Sequence, residues 1–246
     1  MRLLVNLDPV DPCFGLAVDE VLVDGVRAGV PGTARFWVNR RAVVVGRSQS
    51  VADEVDIAHA SHVDVRILRR ISGGGTVYHH PGNLNLSVVL RRRGGIASVV
   101  DAFSFFGGAV AAALAPWAEL VCDGNALRVG GRKIGGAAQA RRGDVVLYHT
   151  TLLLTPDEIP MERLLLAHRP GYASRRVASK PSETIALASV VDGSVSDCEV
   201  VAAITHELAH RLDEDLRPKG LTCEERKQAE DLATGKYGRD AWNRLH

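Results

Sequence analysis

Between Arg69 and Ser87 the chain reads RRISGGGTVYHHPGNLNLS, a stretch that few folds can hold. Three consecutive glycines interrupt a strand-forming sequence, which resumes, turns at Pro81-Gly82 and resumes again. In Asn83-Leu84-Asn85-Leu86-Ser87-Val88 the Asn and Ser side chains share one face of a strand, while Leu84, Leu86, Val88 and Leu90 share the other. One face is therefore core, and the other is a row of hydrogen-bonding groups that must meet water or a ligand. Glycine inside a sheet weakens it unless a ligand or another backbone comes close. Gly73-Gly74-Gly75 clears side chains away and exposes backbone N–H groups that can cradle an anion. Arg69 and Arg70 add guanidinium groups suited to phosphate or carboxylate. The stretch points to a small-molecule site for a ligand with an anionic head. The plainer reading is a glycine bulge in a hairpin beside solvated arginines.

The rest of the chain supplies a frame for such a sheet. Pro12, behind Asp11, opens a helix with Phe14, Ala17, Val18, Val21 and Leu22 as its buried stripe. Phe36-Trp37-Val38 and Ala42 to Gly46 read as a strand pair turning at Asn39-Arg40-Arg41, and Val63 to Arg70 as a further strand. Ser98 with Asp101 starts a helix whose period (Val99, Phe103, Phe106, Val110, Leu114) runs up to Pro116. Ala126 to Val129 and Arg132 to Ala140 flank Gly130-Gly131, a two-residue hairpin turn, and Asp144 to Leu154 follows. Thr155-Pro156-Asp157-Glu158 has the form of a helix start. Ser196 with Glu199 and Thr222 with Glu225 are capping boxes opening two late helices. Strands joined by hairpins, with helices gathering late, give an α+β fold: a central, mostly antiparallel or mixed sheet flanked by helices. Residues 1–217 form the main domain in this reading, and 218–246 a short helical tail.

Composition narrows the partners. With 30 basic and 29 acidic residues the chain lacks the basic footprint of broad nucleic-acid binding. No apolar run reaches the roughly 18 residues of a membrane span, and the N-terminal MRLLVNLDPVDP does not have the pattern of a signal peptide. Cys13, Cys122, Cys198 and Cys223 show no paired spacing, which points to a reducing compartment, the cytoplasm.

A second segment, Gly131-Arg132-Lys133-Ile134-Gly135-Gly136-Ala137-Ala138-Gln139, starts a strand with a lysine. Simple alternation puts Lys133, Gly135, Ala137 and Gln139 on one face, nearly free of bulk. A lysine over a cleared surface suits phosphate binding or activation of an acyl phosphate; the plainer reading is an exposed hairpin lysine.

Together with VVVGRSQS (Val43 to Ser50), DGNALRVGGRKIGGAAQ, YHTTLLL (Tyr148 to Leu154) and the N-terminal DPCFGLAVDE, these motifs resemble the lipoate–protein ligase A family of the biotin/lipoate ligase superfamily. The resemblance implies a two-step reaction: lipoic acid and ATP form lipoyl-adenylate, and the acyl group passes to a lysine of an apo lipoyl domain. That acceptor is a 2-oxoacid dehydrogenase acyltransferase subunit, a glycine-cleavage carrier or a similar protein. Lys133 is implied as the catalytic residue, contacting the carboxylate and the α-phosphate. Arg70, Ser72, Gly73, Gly74, Gly75, Val77, His79, Asn83, Asn85, Asn125, Gly135 and Ala137 are implied to line the acyl-adenylate site. Mg2+ is expected to arrive with ATP, held mainly by phosphates and water.

The chain departs from the family pattern at three places. His79-His80 stands where His-Asp is usual, Gly124-Asn125-Ala126 replaces a Gly-Asn-Asp-like segment, and the accessory C-terminal domain of many such ligases is replaced by a short tail. A separate accessory ligase chain is one way to supply it. Two alternatives to the ligase follow. Cys122, eleven positions before Lys133, raises octanoyl transfer from acyl carrier protein through a thioester. The altered His80 and Ala126 raise a non-catalytic module binding an acyl group or lipoyl-adenylate. His206-Glu207-Leu208-Ala209-His210 matches H-E-x-x-H, but Val201, Ile204, Leu208 and Leu212 set the buried stripe of that helix and turn both histidines to solvent. The biotin branch is disfavoured because RRISGGG stands in place of its Arg-Gly-rich loop.

Overall fold

The computed structural model describes residues 1–246. Its strands in chain order are β1 (Arg2–Val10), β2 (Thr33–Asn39), β3 (Ala42–Val45), β4 (Arg66–Arg69), β5 (Val77–His79), β6 (Asn83–Arg91), β7 (Val121–Asp123), β8 (Ala126–Val129), β9 (Arg132–Arg142), β10 (Val145–Leu153) and β11 (Arg217–Pro218). The helices are α1 (Pro12–Arg27), α2 (Val51–Glu54), α3 (Ile57–His62), α4 (Val99–Leu114), α5 (Met161–Leu164), α6 (Asp197–Leu212), α7 (Cys223–Leu232) and α8 (Asp240–Asn243). An eight-stranded sheet has the order β11-β1-β2-β6-β10-β9-β8-β7, and a separate three-stranded sheet has the order β4-β3-β5. Within the large sheet only the β1–β2 and β1–β11 pairs are parallel.

The alternation of β6 organises the large sheet. Leu84, Leu86, Val88 and Leu90 join Phe36, Tyr148 and Leu152 in an apolar cluster covered by α4 and α6. Both helices begin where capping boxes place them, at Ser98 and Ser196. Val99 falls outside the buried stripe of α4: it sits in the overhanging first turn and is 47% exposed. On the opposite face Trp37, Val89, Val145 and Leu147 pack under α1, together with Ala229 and Tyr237 of the C-terminal segment. Asp11 caps α1 as expected, its Oδ1 accepting from the Cys13 amide at 2.9 Å.

Two expected elements do not form. The Phe36–Val38 and Ala42–Gly46 strands are not a hairpin, because the chain crosses there from the large sheet to the small one. Both β2 and β3 are buried along their whole length. Each therefore needs neighbours on two sides, which β1 and β6 supply to one and β4 and β5 to the other. Nor does a helix open at Thr155. Asp157, which would lie in the first turn, is held instead by Arg41, whose Nη2 lies 2.7 Å from its Oδ1, and by the Tyr78 hydroxyl at 2.5 Å. Only the short α5 follows.

Candidate active site

Between the polar face of the large sheet, the small sheet and the segment around residues 177–184 lies a cavity of about 410 Å³, within the usual range for small-molecule sites. Arg70, Gly74, Gly75, Val77, His79, Asn83, Asn85, Asn125, Lys133, Gly135 and Ala137 line it; Ser72, Gly73 and Cys122 do not. Leu16, Trp37 and Val44 add apolar surface to the lining.

The glycine loop is held from behind. Arg70 is 5% exposed and donates through Nη2 to the carbonyls of Gly73 (2.6 Å) and Gly75 (2.7 Å), and through Nη1 to that of Val44 (3.1 Å). A trans peptide points its N–H opposite its carbonyl, so pinning the Gly73 carbonyl turns the Gly74 amide away from the arginine. The amides of Gly73, Gly74 and Gly75 donate to no protein acceptor. Gly74 has φ +84, and a side chain at Gly46 would place Cβ 2.1 Å from the Gly74 carbonyl oxygen. Both glycines are therefore required for the loop to lie where it does. Arg69 points the other way, its Nη1 donating to the carbonyls of Gly46, Arg47 and Gln49 at 2.8–3.0 Å, while its amide donates to Asn243. The arginine pair thus shapes the loop by gripping carbonyls. Burial lowers the Arg70 pKa to about 10.

Lys133 reaches the cavity because of a bulge. Leu127 pairs with Gly135 but Arg128 with Lys133, so Ile134 is an extra residue in β9. The expected sharing of one face by Lys133, Gly135, Ala137 and Gln139 fails for this reason. Gly135 meets Leu127 and Leu152 on the apolar side, and the Gln139 amide donates to the Val99 carbonyl at the start of α4. Lys133 instead lies over Gly136, where an added Cβ would sit 2.8 Å from Nζ. Its ammonium has no ion-pair partner in the protein, and no Asp or Glu lines the cavity, whereas Arg70, Lys133 and Lys180 do. Burial, then the charges of Arg128 and Arg70, lowers its pKa. An anion entering the cavity would meet unpaired cations and free amides.

A lid absent from the sequence reading completes the enclosure. Ser179 accepts from the Thr76 amide (2.8 Å) and Gln49 Nε2 (3.0 Å) and donates to the buried Glu54 carboxylate (2.5 Å), to which the Tyr172 hydroxyl also donates. Further along, the Lys133 amide donates to the Glu183 carbonyl at 2.8 Å, and the Ile185 amide to the Lys133 carbonyl at 3.0 Å. Residues 169–185 hold little regular structure, so no periodicity announced them; the only clue was the unused polar pair Gln49 and Glu54.

The remaining candidates lie elsewhere or serve other ends. The Cys122 thiol packs on α4, 3.7 Å from the Phe103 carbonyl, and burial then Asp123 raise its pKa. In α6 both His206 and His210 are exposed, and Glu207 pairs with Arg211 at 2.6 Å. His80 accepts from the Gly82 amide through Nδ1 (3.1 Å) and packs on Tyr78, whereas the fully enclosed His79 has its pKa lowered to about 3, chiefly by burial.

A mixed sheet packed on helices, enclosing a pocket lined by apolar side chains and by cations with no carboxylate, suits the binding of an organic acid. The family model described as the lipoyl protein ligase A/B catalytic domain matches residues 11–209, and the chain belongs to that family. It is 32% identical to octanoyltransferase LipM of Symbiobacterium thermophilum, over 93% of this chain and 92% of that protein. It is 28% identical to lipoate-protein ligase A subunit 1 of Thermoplasma acidophilum, over 98% and 95% of the two chains. An Aeropyrum pernix protein provisionally named lipoate-protein ligase A is 36% identical over 63% of this chain, a stretch spanning 58% of that protein. The solved bi-partite lipoate protein ligase of T. acidophilum, described with its E2 lipoyl domain, superposes with a TM-score of 0.85 at 27% identity, covering 99% of this chain and 95% of that one. A lipoate-protein ligase A bound with ATP superposes at 0.83 and 28% identity, covering 99% and 98%.

Proposed function

We propose that this protein is a lipoate–protein ligase, joining lipoate to a lysine of a lipoyl carrier domain through an acyl-adenylate. The observation that carries the reading is a cavity that joins the apolar side chains of Leu16, Trp37 and Val44 with the unpaired Lys133 and the free amides of Gly74 and Gly75, and that no Asp or Glu lines. The acyl chain lies toward Leu16 and Trp37, and its carboxylate meets Lys133. The carboxylate oxygen attacks the α-phosphorus of ATP, the bond to the β-phosphate breaks and pyrophosphate leaves, while Lys133 with the glycine amides stabilises the charge that builds on the phosphate oxygens. The acceptor lysine then attacks the mixed anhydride, releasing AMP, with positioning as the main contribution of the protein. No carboxylate is available to Mg2+ in the lining, so phosphate and water would supply its ligands, and no step is routed through it. We place the catalytic unit in residues 1–217, with 218–246 packed against α1, and the reaction in the cytoplasm.

Octanoyl transfer is the second reading, favoured by the LipM relative and disfavoured for Cys122, whose thiol faces α4. An apo lipoyl domain incubated with the protein and either lipoate plus Mg-ATP or octanoyl-carrier protein, then weighed by mass spectrometry, separates the two. Lipoylation requiring ATP is the expected result, and octanoylation without ATP would overturn it. Because a matched relative is called subunit 1, each arm is run with and without an accessory ligase subunit. Tight acyl-adenylate binding without transfer in any arm would support the non-catalytic module.

A further inference from the structure

Asp19, in the middle of α1, is 2% exposed and does not line the cavity, yet two hydrogen-bonded chains from the cavity walls end on it. In the first, Arg70 Nε donates to Ser72 Oγ at 2.9 Å, Ser72 Oγ lies 2.6 Å from His149 Nε2, and His149 Nδ1 lies 3.4 Å from Asp19 Oδ2. In the second, Trp37 Nε1 donates to Ser87 Oγ at 3.0 Å, and Ser87 donates to Asp19 Oδ2 at 2.8 Å. Arg35 Nη1 closes on the other oxygen at 2.7 Å.

The donor inventory orients both chains. A carboxylate only accepts, so the hydrogen between His149 and Asp19 belongs to Nδ1. A guanidinium only donates, so Ser72 meets Arg70 with a lone pair; with Nδ1–H on a neutral His149, the bare Nε2 accepts the Ser72 hydrogen. The protonated nitrogen of an imidazole follows from the partners of both ring atoms. Burial works against a charge on Asp19, but the His149 hydrogen bond and the Arg35 charge outweigh it and hold its pKa below the usual carboxylate value.

We propose that Asp19 is a positioning residue that sets the polarity of both cavity walls, holding His149 as the Nδ1–H tautomer and so directing the hydrogen of Ser72, which accepts from the loop-fixing Arg70, onto Nε2. With Nε2 taken by Ser72, His149 offers an entering acid no free ring nitrogen. Polar recognition therefore falls to Lys133 and the loop amides. In Asp19→Asn an amide nitrogen can donate where the carboxylate accepted. The imidazole is then free to adopt Nε2–H, and Ser72 must accept from two donors.

Nitrogen-15 spectra of the histidine side chains test this, with His149 assigned by its loss in His149→Gln. The expected wild-type pattern is Nδ1 protonated and Nε2 bare, with a change of tautomer in Asp19→Asn and none in Ser72→Ala. A wild-type Nε2–H tautomer, or an unchanged tautomer in a folded Asp19→Asn, would overturn the proposal. The wild-type spectrum judges it even if Asp19→Asn does not fold. Ligation kinetics give the second readout, which rests on the ligase reading: Asp19→Asn should raise KM for the acyl acid about tenfold, with a smaller change in kcat, through loss of a buried charge-assisted contact. An Asp19→Asn enzyme with unchanged KM would count against the role. A wild type inactive in ligation would sink the ligase reading while leaving the spectral test in force.

Discussion

The two faces of the large sheet are made by alternate residues of the same strands and are stabilised by different physics. Leu84, Leu86 and Val88 face α4 and α6 in a dry cluster, whose contribution scales with apolar area. Asn83, Asn85 and Ser87 face a cavity and a set of buried charges, where every donor needs a particular acceptor. The first face tolerates exchange of one apolar group for another of similar size. The second depends on single hydrogen bonds, and it is the face where Lys133 and the loop amides are left without protein partners.

Substitutions should separate the faces. The largest effect is expected at Lys133→Ala, with kcat/KM for lipoylation falling by about 10²–10³-fold, the range for losing one preorganised charge stabiliser, and with denaturant stability preserved. A nearly active mutant would remove Lys133 from the chemistry. Burial and neighbouring cations put the folded-state pKa of Lys133 below its ordinary 10.5. Between those two values the unfolded chain holds more protons, so stability should rise with pH, and urea titrations should find that rise flattened in Lys133→Met.

On the dry face, Leu86→Ala should cost about 2–5 kcal/mol in urea denaturation while the remaining folded protein keeps its KM. Gly135 and Gly136 bring the comparison to adjacent residues. A Cβ at Gly135 would lie 2.3 Å from the Thr151 carbonyl oxygen, whereas at Gly136 it meets only the flexible end of Lys133. Gly135→Ala should therefore destabilise by about 1–3 kcal/mol, as overpacking does. Gly136→Ala should melt near the wild-type temperature and lose about tenfold in kcat/KM through a displaced amine. Equal melting losses would show that the bulge does not separate the faces.

The last prediction concerns acid. With its pKa pushed down to about 3 from 6.5, mainly by burial, His79 stays neutral in the folded state while the unfolded chain takes up a proton. Stability is lost as pH falls through 6.5 toward 3, at up to about 1.4 kcal/mol per pH unit. His79→Gln should be less sensitive across that window by the same measurement, and an equal acid slope would remove His79 as the cause.

Much of this was legible in the sequence. The capping boxes at Ser98, Ser196 and Thr222, the Gly130-Gly131 turn and the alternation of Asn83 to Leu90 are local patterns, and local patterns survive folding. The glycine loop and Lys133 were also legible as candidates, and the structure brings Gly74, Gly75 and Lys133 to one cavity. What escaped notice depends on partners distant in sequence. Nothing near Ala42 says that β3 leaves the large sheet, and nothing near Ser179 says that Glu54 will hold it. Arg70 was expected to line the site, and it does, but its grip on the carbonyls of Gly73 and Gly75 was not foreseen. The face of Lys133 was misassigned because a bulge is set by cross-strand register, which alternation alone does not show.

That bulge makes chain length part of the chemistry. Ile134 acts as a phase shift between the hairpin tip and the body of β9. Deleting one residue between Lys133 and Gly135 would restore simple alternation and turn the ammonium toward Leu127 and Leu152, where it has neither water nor a counterion. An insertion at Gly130-Gly131 lies beyond the shift and leaves the lysine in place. Tolerance to length change should thus switch from permissive to forbidding within a few residues, and related sequences should vary in length at the hairpin tip but not past the lysine.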